Sequence, residues 1–503
     1  MANEATALEL EQEREHIVTT AMKDRRYVGT KETVAYILYD IAQSFDINKY
    51  RDIFTTDILK IGLKFQSVTN AVVGVWDIIN DVLLAALVDK TRTRWGKFKP
   101  WLVIYALPGV MLSVMFWLLP LFFKDKGLYD VSKLAFFLVF QLLSNLATSL
   151  RDISRTGMLA VITPNIIDRT RLITQANLLS GFVEKGPEIL MGVLIDLVNH
   201  NVLKIRMRSL YITAGSATAI VSGLFAIYFS IVAKERVQQT VEKPSVKSTF
   251  KSILNNKPLL LITLAEILGA FSVGSSLNYY YINVLGLASM STIVGIPGAV
   301  VSPISYSWVP WARAKFSTKT LWLVGSHTSD VLMIGVFLIG AINKNYKKPA
   351  AMIPAFMLRE TIWMFTWGIR SVIPEEMRNE AIDYGEWKNG YRTEGMTGVA
   401  KGIPKKIIST VGGSVNAIIL DAIGYKQGAG YGEQSSETEF GLFAMSTILP
   451  VVTGALSVIP KLFYDLSGKK RDRMYAELME RRKAMSDEVN AGDAARSAPG
   501  EEA

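Results

Sequence analysis

Trp76-Asp77-Ile78-Ile79-Asn80-Asp81 sets two carboxylates and an amide inside a hydrophobic segment running from about Ile61 to Val88. Asp77 and Asp81 are four residues apart, so on a helix they share one face, with Asn80 beside them. An ionised carboxylate in hydrocarbon costs several kcal/mol even on the lower scales. Two on one face must therefore look into a protein interior and share a cation or a proton. Directly after the segment comes a dense basic run, Lys90-Thr91-Arg92-Thr93-Arg94-Trp95-Gly96-Lys97-Phe98-Lys99. Such runs are retained on the cytoplasmic side of a membrane. Buried acids beside a cytoplasmic basic loop point to cation-coupled transport.

Composition extends this reading to the whole chain. Half of the 503 residues are hydrophobic, mean hydropathy is +0.25, and apolar blocks recur at close to the length of a membrane-spanning helix. A net charge of +10 would suit a nucleic-acid partner. The excess Lys and Arg, however, lies in short loops between apolar blocks, where the lipid bilayer and the positive-inside rule account for it. No nucleic-acid partner is expected. The chain has no cysteine, which excludes disulfides, thiolate metal sites and cysteine nucleophiles. Met1 to Asp24 is polar and has no apolar core, so it does not read as a signal peptide. His16, His200 and His327 form no ligand motif, and no phosphate loop, nucleophile elbow or zinc signature is present. The expectation is not an enzyme and carries no cofactor beyond a coupling cation, sodium or proton.

Span by span, residues 1–32 read as a cytoplasmic lead. A polar first span follows near Thr33 to Thr55, then clearer spans near 61–88, 100–123, 131–160, 172–198 and 207–233. A polar linker at 234–257 separates these from spans near 258–285, 289–312, 318–341, 349–374, 396–424 and 438–465. The second group is bounded at 466, and 467–503 is a charged cytoplasmic tail, helical at first. Two groups of six follow, with both termini cytoplasmic. The fold class expected is an all-α membrane protein with 12 transmembrane helices in two six-helix bundles.

Two motifs then carry a resemblance. Trp-Asp-x-x-Asn-Asp at 76–81 followed by Thr91 to Trp101, and Asp383-Tyr384-Gly385-Glu386-Trp387-Lys388-Asn389-Gly390-Tyr391-Arg392-Thr393-Glu394-Gly395 in the second half, resemble the glycoside-pentoside-hexuronide:cation symporter family. That resemblance implies the major facilitator fold and alternating access. It also implies a cation pocket of Asp77, Asn80, Asp81 and Ser149, with a sodium ion, if sodium is the partner, on Asp77 and Asp81. Sugar recognition would fall to Asp40 and Asp152, with Lys406 matching a lysine late in the eleventh span. The chain departs from the pattern at Val82, Ala85, Thr156 and Thr174, which weakens a melibiose-like specificity but leaves the fold.

Other charges lie inside apolar blocks: Arg151, Glu184, Lys185, Glu188, Glu266, Arg359, Glu360, Arg370, Lys401 and Lys405. At membrane depth they should face a cavity or one another. Arg151 joins the substrate candidates, and the cationic groups together suggest an anionic sugar such as a uronide. Tyr279, Tyr280, Tyr281, Trp363 and Trp367 either stack on a sugar ring or, more commonly for such clusters, pack. Arg94, Lys97, Asp383, Glu386 and Arg392 lie in one basic and one acidic loop, one per half, and are expected to gate the cytoplasmic side. The partner is a small sugar or glycoside, and the chain is expected to be a monomer. Two other readings stay open: a transporter of the same fold for an amphiphilic cargo such as a lysolipid, and a non-transporting sugar sensor signalling through the tail.

Overall fold

A computed structural model of the protein describes residues 27–91, 93–124, 126–163, 166–183, 185–236, 255–269, 277–389, 410–466 and 468–481. Among them the only β feature is an isolated bridge between Thr93 and Gly96. The helices in order are α1 (Thr30–Ala42), α2 (Leu63–Lys90), α3 (Lys99–Phe122), α4 (Val131–Val161), α5 (Ile166–Val183), α6 (Gly186–Asn199) and α7 (Met207–Val232). They continue as α8 (Lys257–Gly269), α9 (Leu277–Asn283), α10 (Met290–Ser305), α11 (Val309–Lys315), α12 (Thr318–Ala341), α13 (Pro349–Phe365) and α14 (Trp367–Asn389). Last come α15 (410–422), α16 (Ser436–Ser446), α17 (Ile448–Gly454), α18 (Val458–Leu462) and a tail helix, α19 (469–481). Among the described residues six helices are long and apolar enough to cross a membrane, and a bent pair, Ser436–Ser446 with Ile448–Leu462, makes a seventh.

Several expected spans are broken, each for a local reason. The first is shorter than the sequence suggests: α1 ends at Ala42 after 13 residues, about 20 Å of rise. The chain then turns because Asp46 accepts from the Asn48 backbone N–H at 2.8 Å and from its side-chain amide at 2.5 Å. That local bonding competes with the helical ladder. Three short turns follow, Asn48–Tyr50, Arg51–Ile53 and Phe54–Ile58, the last a π-turn. The fifth span is two helices, with Pro187 in the first turn of α6, where its missing N–H costs nothing. The tenth breaks at Thr366, and the freed Gly368 N–H donates to Ser305 Oγ at 2.8 Å. The eleventh is described only from residue 410, so Lys401, Lys405 and Lys406 lie outside the described residues, as does Glu184.

By their contacts the residues form two compact units. One is Met1–Val241 with Ser276–Thr292 and Gly413–Leu442; the other is Glu242–Ser275 with Ile293–Gly412 and Phe443–Ala503. The first has a core of Tyr36, Tyr39, Leu102, Met158, Leu172 and Phe229, with Tyr39 stacked on Phe229 at 4.5 Å. The second has a core of Leu259, Ile262, Trp322, Ile373, Met377 and Met474. Met474 belongs to α19, so the first turns of the tail are packed structure. Trp387 Nε1 donates to Glu477 at 2.7 Å there.

One end of the first unit is closed by a latch between the α1–α2 connection and the segment after α15. Asp57 accepts from the Tyr425 hydroxyl at 2.8 Å and from the Gly428 N–H at 3.0 Å. Gln427 Nε2 donates to the carbonyls of Thr56 at 3.1 Å and Ile61 at 2.6 Å. Gly428 has φ +75°, and a Cβ there would meet Lys60 Cε at 2.6 Å. Glycine is the residue that tolerates both conditions. Asp57 lies between the expected spans, and burial pushes its carboxyl up to about 7, against the lowering effect of the two donors. Below it the buried Lys133 ammonium donates to the carbonyl of Lys60 at 2.7 Å.

At the other end of this unit Glu235 caps α3. Its carboxylate accepts from the backbone N–H groups of Lys97, Phe98 and Lys99 at 2.8, 2.6 and 2.6 Å. A negative group at a helix N-terminus satisfies donors that have no partner within the helix.

Candidate functional site

Helix α4 organises the site. Asp130 starts it by accepting from the Lys133 N–H at 3.0 Å. Successive residues turn by about 100°. Ser144, Thr148 and Arg151 therefore share one face, while Asn145, Ser149 and Asp152 share the next.

The second of these faces meets α2. Asp77 Oδ1 accepts from Asn145 Nδ2 at 2.9 Å and from Ser149 Oγ at 3.2 Å. Asn80 is 2% exposed, and its side-chain nitrogen is buried with no acceptor. Asp77 and Asp81 are part-buried on the same helix, one turn apart. Two carboxylates, an amide oxygen and a hydroxyl are a hard-oxygen set that suits sodium, and a close acidic pair equally suits a shared proton. Among the described residues no three His, Asp or Glu side chains converge to hold a metal ion. A sodium ion here would rest on the two carboxylates with neutral oxygens completing its shell.

The first face lines a cavity of about 260 Å³ inside the first unit, with Gln43, Asp46, Asn48, Arg51, Thr148 and Arg151 in its wall. Arg51 donates to Gln141 Oε1 at 3.0 Å, and its guanidinium stands 4.1 Å from the Phe116 ring centroid. Arg151 Nε donates to Asp152 Oδ1 at 2.9 Å, a bond between adjacent residues that joins the two faces of α4.

The remaining sequence-selected residues fall as follows. Asp40 takes Arg155 at 2.8 Å and the Ser180 hydroxyl at 2.9 Å, while Asp152 takes Arg151, so the two sugar-assigned carboxylates have separate cationic partners. Asp152 keeps 55% of its side-chain surface exposed. Lys406 and Arg392 lie outside the described residues. In the first unit the Lys97 N–H is held by Glu235, and the Arg94 guanidinium lies 5.4 Å from the neighbouring Trp95 ring. In the second unit Asp383 accepts from the Tyr475 hydroxyl at 3.5 Å, and Glu386 is part-buried on the same helix, α14. Tyr279 and Tyr280 are buried, and Tyr279 bonds Thr56 at 2.9 Å, so this cluster packs. Trp363 carries the Arg359 guanidinium 4.4 Å above its ring.

Sequence reasoning missed Asn145, Arg155, Ser180 and Glu235, whereas Arg51 belongs to the polar face of the first span, expected to line water or substrate, and it stands in the cavity wall. Asn145 was within reach, since it lies one helical turn before Ser149. Ser180 and Glu235 are distant in sequence from the residues they serve, and nothing local marks them.

The structure superposes on the nucleoside transporter NupG with a TM-score of 0.51 at 12% identity, covering 86% of this chain and 97% of that one. The superposition places the chain in the fold of the major facilitator carriers: an all-α, multi-pass membrane protein. Residues 33–468 match the family model for MFS/sugar transport proteins, and the chain belongs to that family, which is of the glycoside-pentoside-hexuronide type. It is a transporter family and not an enzyme family. The chain is 24% identical over 458 residues to the glucuronide carrier protein homolog of Escherichia coli (strain K12), covering 90% of this chain and 95% of that protein. It is 23% identical over 479 residues to the isoprimeverose transporter of Lactiplantibacillus pentosus, covering 91% and 93%.

Proposed function

We propose that the protein is a cation-coupled symporter of a sugar or glycoside, working by alternating access. The cation, sodium or proton, occupies Asp77, Asn80, Asp81 and Ser149. The cargo occupies the polar cavity beside Arg51 and Arg151, with Asp40, Asp152 and Lys406 as further candidates. The observation that carries this reading is the division of α4 into two faces, one on Asp77 and one on the cavity, bridged by the Arg151–Asp152 pair. A cation at Asp77 changes the charge that Asp152 experiences one face away. That alters the hold of Asp152 on Arg151, so cation and cargo affinities rise together, symmetrically in binding free energy.

Two guanidinium groups in the cavity wall outweigh its single carboxylate among the described residues, Asp46, and favour an anionic sugar; a relative named glucuronide carrier protein homolog supports that choice. Amide and hydroxyl groups around them speak for a water-soluble cargo over a lysolipid. The basic loops support a cell-membrane protein with both termini cytoplasmic, and a single chain carries both units, as a monomer would require. The test is uptake into proteoliposomes of a methyl glucuronide and the matching neutral glucoside, with sodium and proton gradients imposed separately. Asp77→Asn and Asp81→Asn are expected to abolish cation-stimulated uptake. Wild-type-like stimulation in both would reject the cation site, and preference for the neutral glycoside would reject the anionic cargo.

A further inference from the structure

The second unit holds a polar chain that the symport reading leaves unused. Lys461 of α18 is 5% exposed, and its Nζ lies 2.8 Å from His327 Nε2. His327 Nδ1 lies 2.7 Å from Asp330 Oδ2, one turn along α12. An ammonium has only hydrogens to offer, so Nε2 must accept, and Nδ1 must carry the imidazole hydrogen and donate it to Asp330. Lysine, neutral imidazole and carboxylate together have no net charge.

The surroundings are charged: most of those charges pair among themselves, while Arg370 acts on Asp330 and Lys461 directly. From α8, Glu266 pairs with Arg378 of α14, which also holds Glu375 at 2.7 Å. From α13, Arg359 pairs with Glu360 at 2.6 Å and also reaches Ser329 of α12. From α14, Arg370 lies 5.2 and 5.9 Å from the Trp363 and Trp367 ring centroids. From α11, Arg313 pairs with Glu376 at 2.9 Å and Glu380 at 3.2 Å. Helix α17 has no titratable side chain. Lys344 and Lys347 lie beyond the far end of α12. His327 and Asp330 keep 18% and 24% of their side-chain surface exposed. An ionised carboxylate at that depth has to meet water rather than lipid.

We propose that His327, held between Lys461 and Asp330, is a proton-binding site of the second unit, separate from the acidic pair on α2. A proton from water taken at Nε2 turns the imidazole into an imidazolium. That cation cannot keep an ammonium 2.8 Å away. Lys461 retains its three hydrogens and swings off, with Ser457 Oγ already 3.4 Å from its Nζ. The imidazolium keeps its bond to Asp330. The site takes up one proton, and the packing of α18 on α12 changes with it. That this proton drives transport rests on the symport reading above; that it binds at His327 does not.

The test needs no cargo. The chain has three histidines, so His16→Gln with His200→Gln leaves His327 as the single signal in nitrogen-15 histidine spectra of the full-length protein. At pH 7.5 the wild-type background should show the Nδ1–H neutral tautomer, and acidification should convert it to imidazolium. Lys461→Met should raise the imidazolium-to-imidazole ratio at pH 6.5 by at least about tenfold, because a contact cation is worth more than one factor of ten. Asp330→Asn should lower the same ratio, which keeps the test open if one variant fails to fold. An Nε2–H tautomer at pH 7.5, or a ratio unmoved by both variants, would overturn the proposal. Either outcome is independent of whether the protein carries a sugar.

Discussion

The Asp57 latch makes a prediction whose sign and size follow from its geometry. With the latch closed, burial holds the carboxyl near 7; with the latch open to water it returns to the ordinary value of 3.8. The closed form therefore binds a proton that the open form has lost at every pH between those two values. Closure is strongest below about pH 4 and weakens as pH rises through 7. Three pH units correspond to about 4 kcal/mol at the upper limit, at roughly 1.4 kcal/mol per unit. The open-to-closed ratio should rise about 50-fold between pH 5 and pH 7. The absence of native cysteine makes this measurable. Ile61 is fully buried behind the latch, so Ile61→Cys reports opening through its maleimide reactivity. Val202→Cys, exposed at 67%, corrects for the pH dependence of the thiol itself. Asp57→Asn keeps an acceptor for the Gly428 N–H but does not titrate, so the corrected pH dependence should vanish. Equal pH trends in the wild-type and Asp57→Asn backgrounds would refute the argument.

Two further outcomes follow from the same structure. Glu235→Gln removes a charged acceptor shared by three N–H groups and should cost about 2 kcal/mol, seen as a lower thermal midpoint. Gly96→Ala should act at the same place, because φ is +111° and the added Cβ collides with the Glu235 carboxylate; a midpoint unchanged in both variants would exclude the cap. Arg155→Ala strips the guanidinium from part-buried Asp40 and should cost about 2 kcal/mol, while the same change in an Asp40→Asn background should cost less; additive effects in that double-mutant cycle would rule out the pair.

What the sequence disclosed divides along physical lines. Long apolar blocks and loop charges expose the spans, because every backbone group in hydrocarbon must be bonded within its own segment. The juxtaposition of Asp77 with Ser149 came from motif resemblance, and the hydrogen bond between them is present at 3.2 Å. The first span resisted because Asp46 bonds its own neighbour Asn48 and leaves the helix, an event that hydropathy does not register. The partners of Asp40 resisted for another reason: Arg155 and Ser180 are 115 and 140 residues away, and only the packing of α1 against α5 and beside α4 unites them. His327 was read as an isolated histidine because its Lys461 contact spans 134 residues. Only Asp330, one turn away, was visible.

On the proposed reading, the position of Arg151 would let neighbouring residues on one helix serve two ligands. An arginine facing a cavity without a counter-ion would favour any anion and release it slowly. A full-strength carboxylate partner would cancel it. Asp152 is adjacent in sequence, so it lies about 100° round the helix, and more than half of its surface is exposed. Its hold on Arg151 is therefore a weak, screened one that a nearby charge can adjust. Asp77 is tied to Ser149 on the same face as Asp152; on the proposed reading it would supply that charge when it has no cation and withdraw it when a cation binds. On the symport reading proposed above, the free energy of cation binding would reach the cargo site through one helical turn, without a long relay.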